Sequence, residues 1–133
     1  MTLREDLDTA ADWIANALST SRYTADFSPA SLSSIDRFIA DHSRRGKPKR
    51  RGLLAQDTGQ RLFALGAYVG EVIRRAVGGE WQTDDADPQG EINASLLLPN
   101  GSTIWPIQRV MKRYALGPEE SIADYGAVLI AAN

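Results

Sequence analysis

The strongest candidates for a functional site lie on the third predicted helix and just beyond it. Tyr68, Glu71 and Arg75 are three and four residues apart, which places them on one face of that helix. A carboxylate on an otherwise apolar helix is costly unless it is paired, so we expect Glu71 to reach solvent or to meet a cation. The candidate cations are Arg75, Lys112 and Arg113.

This cluster supports three interpretations. A carboxylate with a perturbed pKa can serve as a catalytic acid or base, so one alternative is an enzyme that uses Glu71 in that role. Aromatic residues and arginines that lie together are typical of protein-binding hot spots, although the same aromatics also fill protein cores. The candidate partner-binding residues are Tyr68, Glu71, Arg75, Trp81, Trp105, Lys112 and Arg113.

A second chemistry is indicated by a dense run of positive charge at residues 44–51. Six of the chain's 15 Lys and Arg lie there. The rest of the chain contains the other nine together with all 17 Asp and Glu, so its formal charge is −8. Such a run can neutralise several phosphates, yet no aromatic residue in it offers base stacking, and a solvated flexible loop has the same composition. The nucleic-acid candidates are Arg44, Arg45, Lys47, Lys49, Arg50 and Arg51.

Several other chemistries find little support. His42 is the only histidine and there is no cysteine, so a HExxH zinc site and thiolate chemistry are excluded, and no Ser–His triad is predicted. The acidic residues of segment 84–91 could gather around a cation, but their spacing does not match an EF-hand and suits an ordinary turn. We therefore predict no catalytic set, no metal site and no cofactor.

The elements that must position these residues follow from hydrophobic periodicity. Two amphipathic helices come first, and a third, from about Gln56 to Val77, is apolar on nearly every side and carries Gly66 and Gly70 for close packing. Alternating apolar residues from Ile92 and the Asn100–Gly101 turn then predict strands. The expected fold is α+β: helices flank a three-stranded antiparallel meander in the order α-α-α-β-β-β-α-α.

The chain is expected to form a single domain over residues 1–133, with residues 44–52 as a flexible basic loop. The apolar and charged fractions, 43% and 24%, are ordinary for a globular protein. The N-terminus has no signal-peptide pattern and no apolar run approaches the length of a membrane span, so we expect a cytoplasmic protein without a membrane partner.

One pattern of motifs covers about half of the chain, residues 62–125. It consists of GAYVGE at 66–71, GEW at 79–81, Pro106, and VMKR at 110–113. This pattern resembles that of a family of small bacterial proteins, a domain of unknown function. The resemblance implies a bacterial cytosolic α+β domain, and it implies no activity and no cofactor.

The sequence thus favours a non-enzymatic module of the immunity or regulatory kind that binds one protein partner. Small size, an acidic body and the aromatic and charged cluster motivate this hypothesis. The alternatives are a nucleic-acid-associated accessory protein that uses residues 44–51 and an enzyme that uses Glu71.

Overall fold

Helices and two small antiparallel sheets make up the chain in a computed structural model, which describes residues 1–133. The predicted α+β class is confirmed. The α-helices are α1 (Leu3–Thr20), α2 (Leu32–His42), α3 (Thr58–Val77), α4 (Gly90–Asn93), α5 (Pro106–Leu116) and α6 (Ile122–Ala131), with 3-10 turns at Pro29–Ser31 and Pro118–Glu120. The strands are β1 (Ser43–Arg44), β2 (Lys47–Pro48), β3 (Glu80–Gln82), β4 (Ser95–Leu97) and β5 (Thr103–Ile104).

The predicted element order, α-α-α-β-β-β-α-α, needs two corrections. A two-stranded hairpin, β1–β2, precedes α3, and a sixth helix, α4, precedes the second strand of the meander. Ile92 therefore lies in α4 rather than in a strand. The Asp87 carboxylate accepts hydrogen bonds from the Gln89 N–H at 2.8 Å and the Asn93 side-chain amide at 2.9 Å. These local bonds hold the chain in a turn until β4 begins at Ser95.

The three-stranded meander pairs β3 with β4 and β4 with β5, all antiparallel. Trp81 lies opposite Leu96, and Leu96 lies opposite Ile104. The predicted turn joins β4 to β5: Gly101 has a φ of 90°, and the Leu98 N–H donates to the Ser102 carbonyl at 2.8 Å. The sheet thereby presents a short apolar row to the core.

The third helix is the centre of the fold. Every residue from Leu62 to Ile73 is buried, because α1, α5 and α6 surround α3. Two glycines allow this close approach. A Cβ on Gly66 would lie 2.5 Å from Ile107 Cα in α5, and a Cβ on Gly70 would overlap the ring of Trp81. None of the six helices has both the length and the apolar character needed to cross a membrane.

We predict that Gly66→Ala destabilises the protein by about 1–3 kcal/mol, because relief of the overlap requires a movement of the α5 backbone. The matched control is Gly59→Ala in the first turn of the same helix, where a Cβ would meet nothing within 4 Å. That change should be neutral or stabilise by up to about 1 kcal/mol. Urea unfolding of both variants checks the prediction, and equal free energies of unfolding would contradict the close packing of α3 on α5.

Candidate functional site

The Glu71 carboxylate is buried in a closed set of hydrogen bonds. Its residue is 2% exposed. Arg74 donates from Nε to Oε2 at 2.7 Å and from Nη2 to Oε1 at 2.8 Å, and Trp81 donates from Nε1 to Oε2 at 2.8 Å. Arg75 contributes a longer bond of 3.4 Å. Both carboxylate oxygens are therefore occupied by protein donors.

These donors determine the protonation state of Glu71. Burial alone would raise its pKa, but the hydrogen bonds from Arg74 and Trp81 and the charges of Arg74 and Arg75 outweigh burial and lower the pKa to about 2. The group is therefore ionised at neutral pH and has no free oxygen toward solvent. This arrangement suits a structural ion pair and gives no support to acid–base catalysis by Glu71.

Two of the cations expected near Glu71 serve other carboxylates instead. Arg113, 4% exposed, donates to a side-chain oxygen of Asp36 at 3.1 Å and to the Asp36 carbonyl at 3.2 Å. Lys112 lies 3.7 Å from Glu120 on the surface. Arg75 is the only expected cation that meets Glu71, and its guanidinium also covers the ring of Phe27 at 3.8 Å.

The aromatic candidates do not form one surface either. Tyr68 is fully buried: its hydroxyl lies 2.7 Å from the Ser31 Oγ and accepts the Phe27 N–H at 3.0 Å. Trp81 is half-buried against α3, and Trp105 is 45% exposed at the start of α5. Tyr68, Glu71 and Arg113 are thus buried, and the seven predicted partner-binding residues do not lie on one exposed surface.

The basic segment contains the β1–β2 hairpin, which is anchored on the C-terminal end of α5. The Gly46 N–H donates to the Tyr114 carbonyl at 2.7 Å. The Arg45 guanidinium donates to the Leu116 carbonyl at 2.6 Å and to Glu119 at 2.7 Å. Arg45 therefore has a structural role, because it binds a carbonyl that the end of the helix leaves without an internal partner.

The other cations of the segment are exposed and take part in no ion pair. Arg44 and Lys49, with Arg45 and Arg113, line a recess of about 320 Å³. The C-terminal ends of α2 and α5 border the same recess, and cations there offset the negative ends of two helix dipoles. The five exposed cations are Arg44, Lys47, Lys49, Arg50 and Arg51.

The remaining titratable candidates make local contacts. His42 Nδ1 accepts the Leu53 N–H at 3.0 Å, and burial lowers the pKa of this histidine. In the acidic loop, Asp85 accepts the Leu3 N–H at 2.7 Å at the start of α1. No group of three or more carboxylate or imidazole side chains comes together in the structure.

An apolar groove follows both sides of the N-terminal half of α3. One recess of about 420 Å³ lies between α1 and α3, and another of about 390 Å³ lies between α3 and the α4 and α5 side. The two share Gln60, Phe63 and Glu91. A third recess of about 130 Å³ shares Trp13 and Arg61 with the first. We refer to these three recesses as the α3 groove.

Exposed apolar side chains are concentrated in this groove. The chain has eight large hydrophobic residues that are exposed, and four of them line the α3 groove. They are Trp13 (51% exposed), Leu53 (40%), Ile92 (36%) and Met111 (36%). A cluster of this kind differs from scattered single residues, which are normal on protein surfaces.

The groove is bordered by negative charge. Asp6, Asp57 and Glu91 line it, and none of them takes part in an ion pair. The one cation in the lining, Arg61, donates a hydrogen bond to the Leu53 carbonyl. The unpaired carboxylates therefore dominate the electrostatic character of the border.

Sequence reasoning missed this groove because its residues come from five separate segments of the chain. One signal was present in the sequence: Trp13 lies outside the buried stripe of α1, which includes Leu7, Ala11 and Ile14. A single exposed aromatic residue is normal on a protein surface, so Trp13 becomes informative only together with the apolar residues around it. Its neighbours in the groove could not be assigned without the packing of α1, α4 and α5 on α3.

The Glu71 ion pair makes stability depend on pH. Its folded-state pKa is lowered from 4.5 to about 2, so its contribution is fully present above pH 4.5 and is lost as the pH falls toward 2. The contribution that is lost is about 3 kcal/mol. Glu71→Gln should reduce stability at pH 7 and remove this part of the pH dependence, as measured by urea unfolding between pH 7 and pH 2.5. A variant that keeps the wild-type pH dependence would contradict the assignment.

No protein-family model, no curated protein and no solved structure matches this chain. The resemblance of residues 62–125 to a family of small bacterial proteins therefore stays a prediction. Any inference about function must therefore come from the structure itself, in which the α3 groove contains four of the eight large hydrophobic residues that are exposed.

Proposed function

We propose that this chain is a non-enzymatic protein-interaction module, of the immunity or regulatory kind, that acts in the bacterial cytoplasm and binds its partner in the α3 groove. One observation carries the proposal: half of the large exposed hydrophobic side chains line this one groove. Burial of such side chains by a partner supplies the apolar centre of a protein interface.

The chemistry of the chain supports binding over catalysis. Glu71, the carboxylate with the most perturbed environment, is enclosed by Arg74, Arg75 and Trp81. The groove offers Trp13, which is 51% exposed, as an aromatic anchor in the same recess as Gln60. Aromatic anchors beside polar side chains are typical of the residues that dominate binding energy at interfaces.

Site-specific photo-crosslinking tests this proposal. A benzophenone amino acid replaces Trp13 or Ile92 in the groove, and replaces Val128 on α6 as a control, since Val128 is 69% exposed and lies outside the groove. In nuclease-treated native extract, the two groove positions should crosslink the same protein and position 128 should not. Equal adducts from position 128, or none from positions 13 and 92, would contradict the proposal.

Nucleic-acid binding by the basic segment is the second candidate function. Its support is the presentation of five exposed, unpaired cations on and beside a hairpin that is anchored to α5. The bordering helix C-termini give the same cations a structural explanation, so this candidate ranks below the first.

Salt dependence of binding to single-stranded RNA tests this second function. In the variant, Arg44, Lys47, Lys49 and Arg50 become Gln, and Arg45 is kept because it anchors the hairpin. If the segment contacts phosphates, the slope of log K against log salt should fall by roughly 0.7 for each contact removed. An unchanged slope and affinity would exclude the segment as a nucleic-acid site.

A further inference from the structure

We infer that the α3 groove binds an amphipathic helix of a partner protein, with apolar side chains in the recesses and Lys or Arg along its borders. This inference rests on the proposed function and names the chemistry of the partner. Three features of the groove carry it: the shape of the apolar surface, the absence of strand edges from its lining, and the unpaired carboxylates.

The groove has recesses on both sides of α3, so a partner that fills it needs an apolar side chain for each side. The recess toward α1 and the recess toward α5 are separated only by residues they share, Gln60, Phe63 and Glu91. A partner that fills both must therefore present at least two apolar side chains across Phe63. An amphipathic helix does this with residues spaced three, four and seven apart along one face.

The backbone elements at the groove exclude the main alternative mode of peptide binding. Residues of α1 to α5 and of the connecting segments line it, and no residue of the five strands does. Addition of a strand requires an exposed sheet edge with free N–H and C=O groups. Strand addition is therefore not available in the α3 groove.

The charge of the groove specifies the flanks of the partner helix. Asp6, Asp57 and Glu91 take part in no ion pair, and Arg61 is the one cation in the lining, so three carboxylates against one guanidinium leave the groove with a net negative charge. Outside residues 44–51 the chain has a formal charge of −8. Lys or Arg side chains on the flanks of the partner helix would complement these carboxylates and accelerate association.

A second copy of the chain fits the groove poorly. A symmetric dimer through this surface would bring two copies of the same border together, each with three carboxylates against one cation, so the interface would carry a net negative charge. The densest cationic element of a second copy is its basic segment, residues 44–51, but this segment has no large apolar side chain to fill the recesses.

A labelled synthetic helix of Leu and Lys, about 18 residues long, is the probe for this inference. Fluorescence polarisation measures its binding to the whole chain, and a Leu and Glu helix with the same spacing tests the sign of the charge. The Leu and Lys helix should bind, and the Leu and Glu helix should bind at least about tenfold more weakly.

Two sets of variants locate the binding. Neutralisation of the border by Asp6→Asn, Asp57→Asn and Glu91→Gln should weaken binding about tenfold or more. The matched control neutralises three exposed carboxylates elsewhere, Asp12→Asn, Glu80→Gln and Asp124→Asn, and should change binding by less than about twofold. Trp13→Ala and Ile92→Ala should weaken binding about fivefold or more, whereas Val128→Ala should not.

Each contrary outcome has a distinct meaning. Equal weakening by the control set would show general attraction to an acidic protein and would overturn the inference, as would equal binding of both helices. Salt-sensitive self-association that occupies the groove, seen by sedimentation, would assign it to a second copy. If neither helix binds while positions 13 and 92 still crosslink one protein, the inference fails and the proposed function stands. If the crosslinks are also absent, the proposed function fails as well.

Discussion

The burial of α3 from Leu62 to Ile73 is the constraint on which the rest of the structure depends. A helical segment buried on every side needs close neighbours, and Gly66 and Gly70 provide the space for α5 and for Trp81. The same helix carries Glu71, whose charge would be costly in this position without compensation. Arg74, Arg75 and Trp81 supply that compensation, so β3 is tied to α3 through the Trp81 hydrogen bond as well as through packing.

This constraint also explains why the groove exists. Toward its N-terminal end, α3 separates from its neighbours, and Phe63 becomes the shared wall of two recesses. The apolar residues that face these recesses come from α1, α4 and α5, and nothing in the chain covers them. The core and the groove are therefore parts of one packing arrangement. Protein side chains enclose Glu71, whereas two recesses adjoin Phe63.

The fold class and the central helix could be predicted because both depend on local periodicity. The long run that is apolar on nearly every side locates α3, and the Asn100–Gly101 pair locates the turn between β4 and β5. The position of Ile92 could not be predicted, because its alternation with Ala94 fits a strand as well as a turn followed by a strand, and the Asp87 hydrogen bonds decide between the two.

The candidate site was harder to predict for a related reason. The cost of a charge on an apolar helix predicts that Glu71 reaches solvent or meets a cation, but spacing cannot distinguish Arg74 at three residues from Arg75 at four. In the structure both arginines bind Glu71, Arg74 at 2.7 and 2.8 Å and Arg75 at 3.4 Å. The partners of Lys112 and Arg113 are distant in sequence and depend on the docking of α5. Charge density predicted a flexible basic loop, and the anchoring of its hairpin depends on the Tyr114 and Leu116 carbonyls.

The central claim is that the α3 groove is the binding surface of this protein. The most direct measurement is NMR mapping of backbone amide shifts while the Leu and Lys helix is added to the labelled chain. We expect the largest changes on residues 6–13, 57–64 and 91–92 and around Met111, with the β1–β2 hairpin unaffected. Changes confined to the hairpin, or spread evenly over all exposed carboxylates, would contradict it.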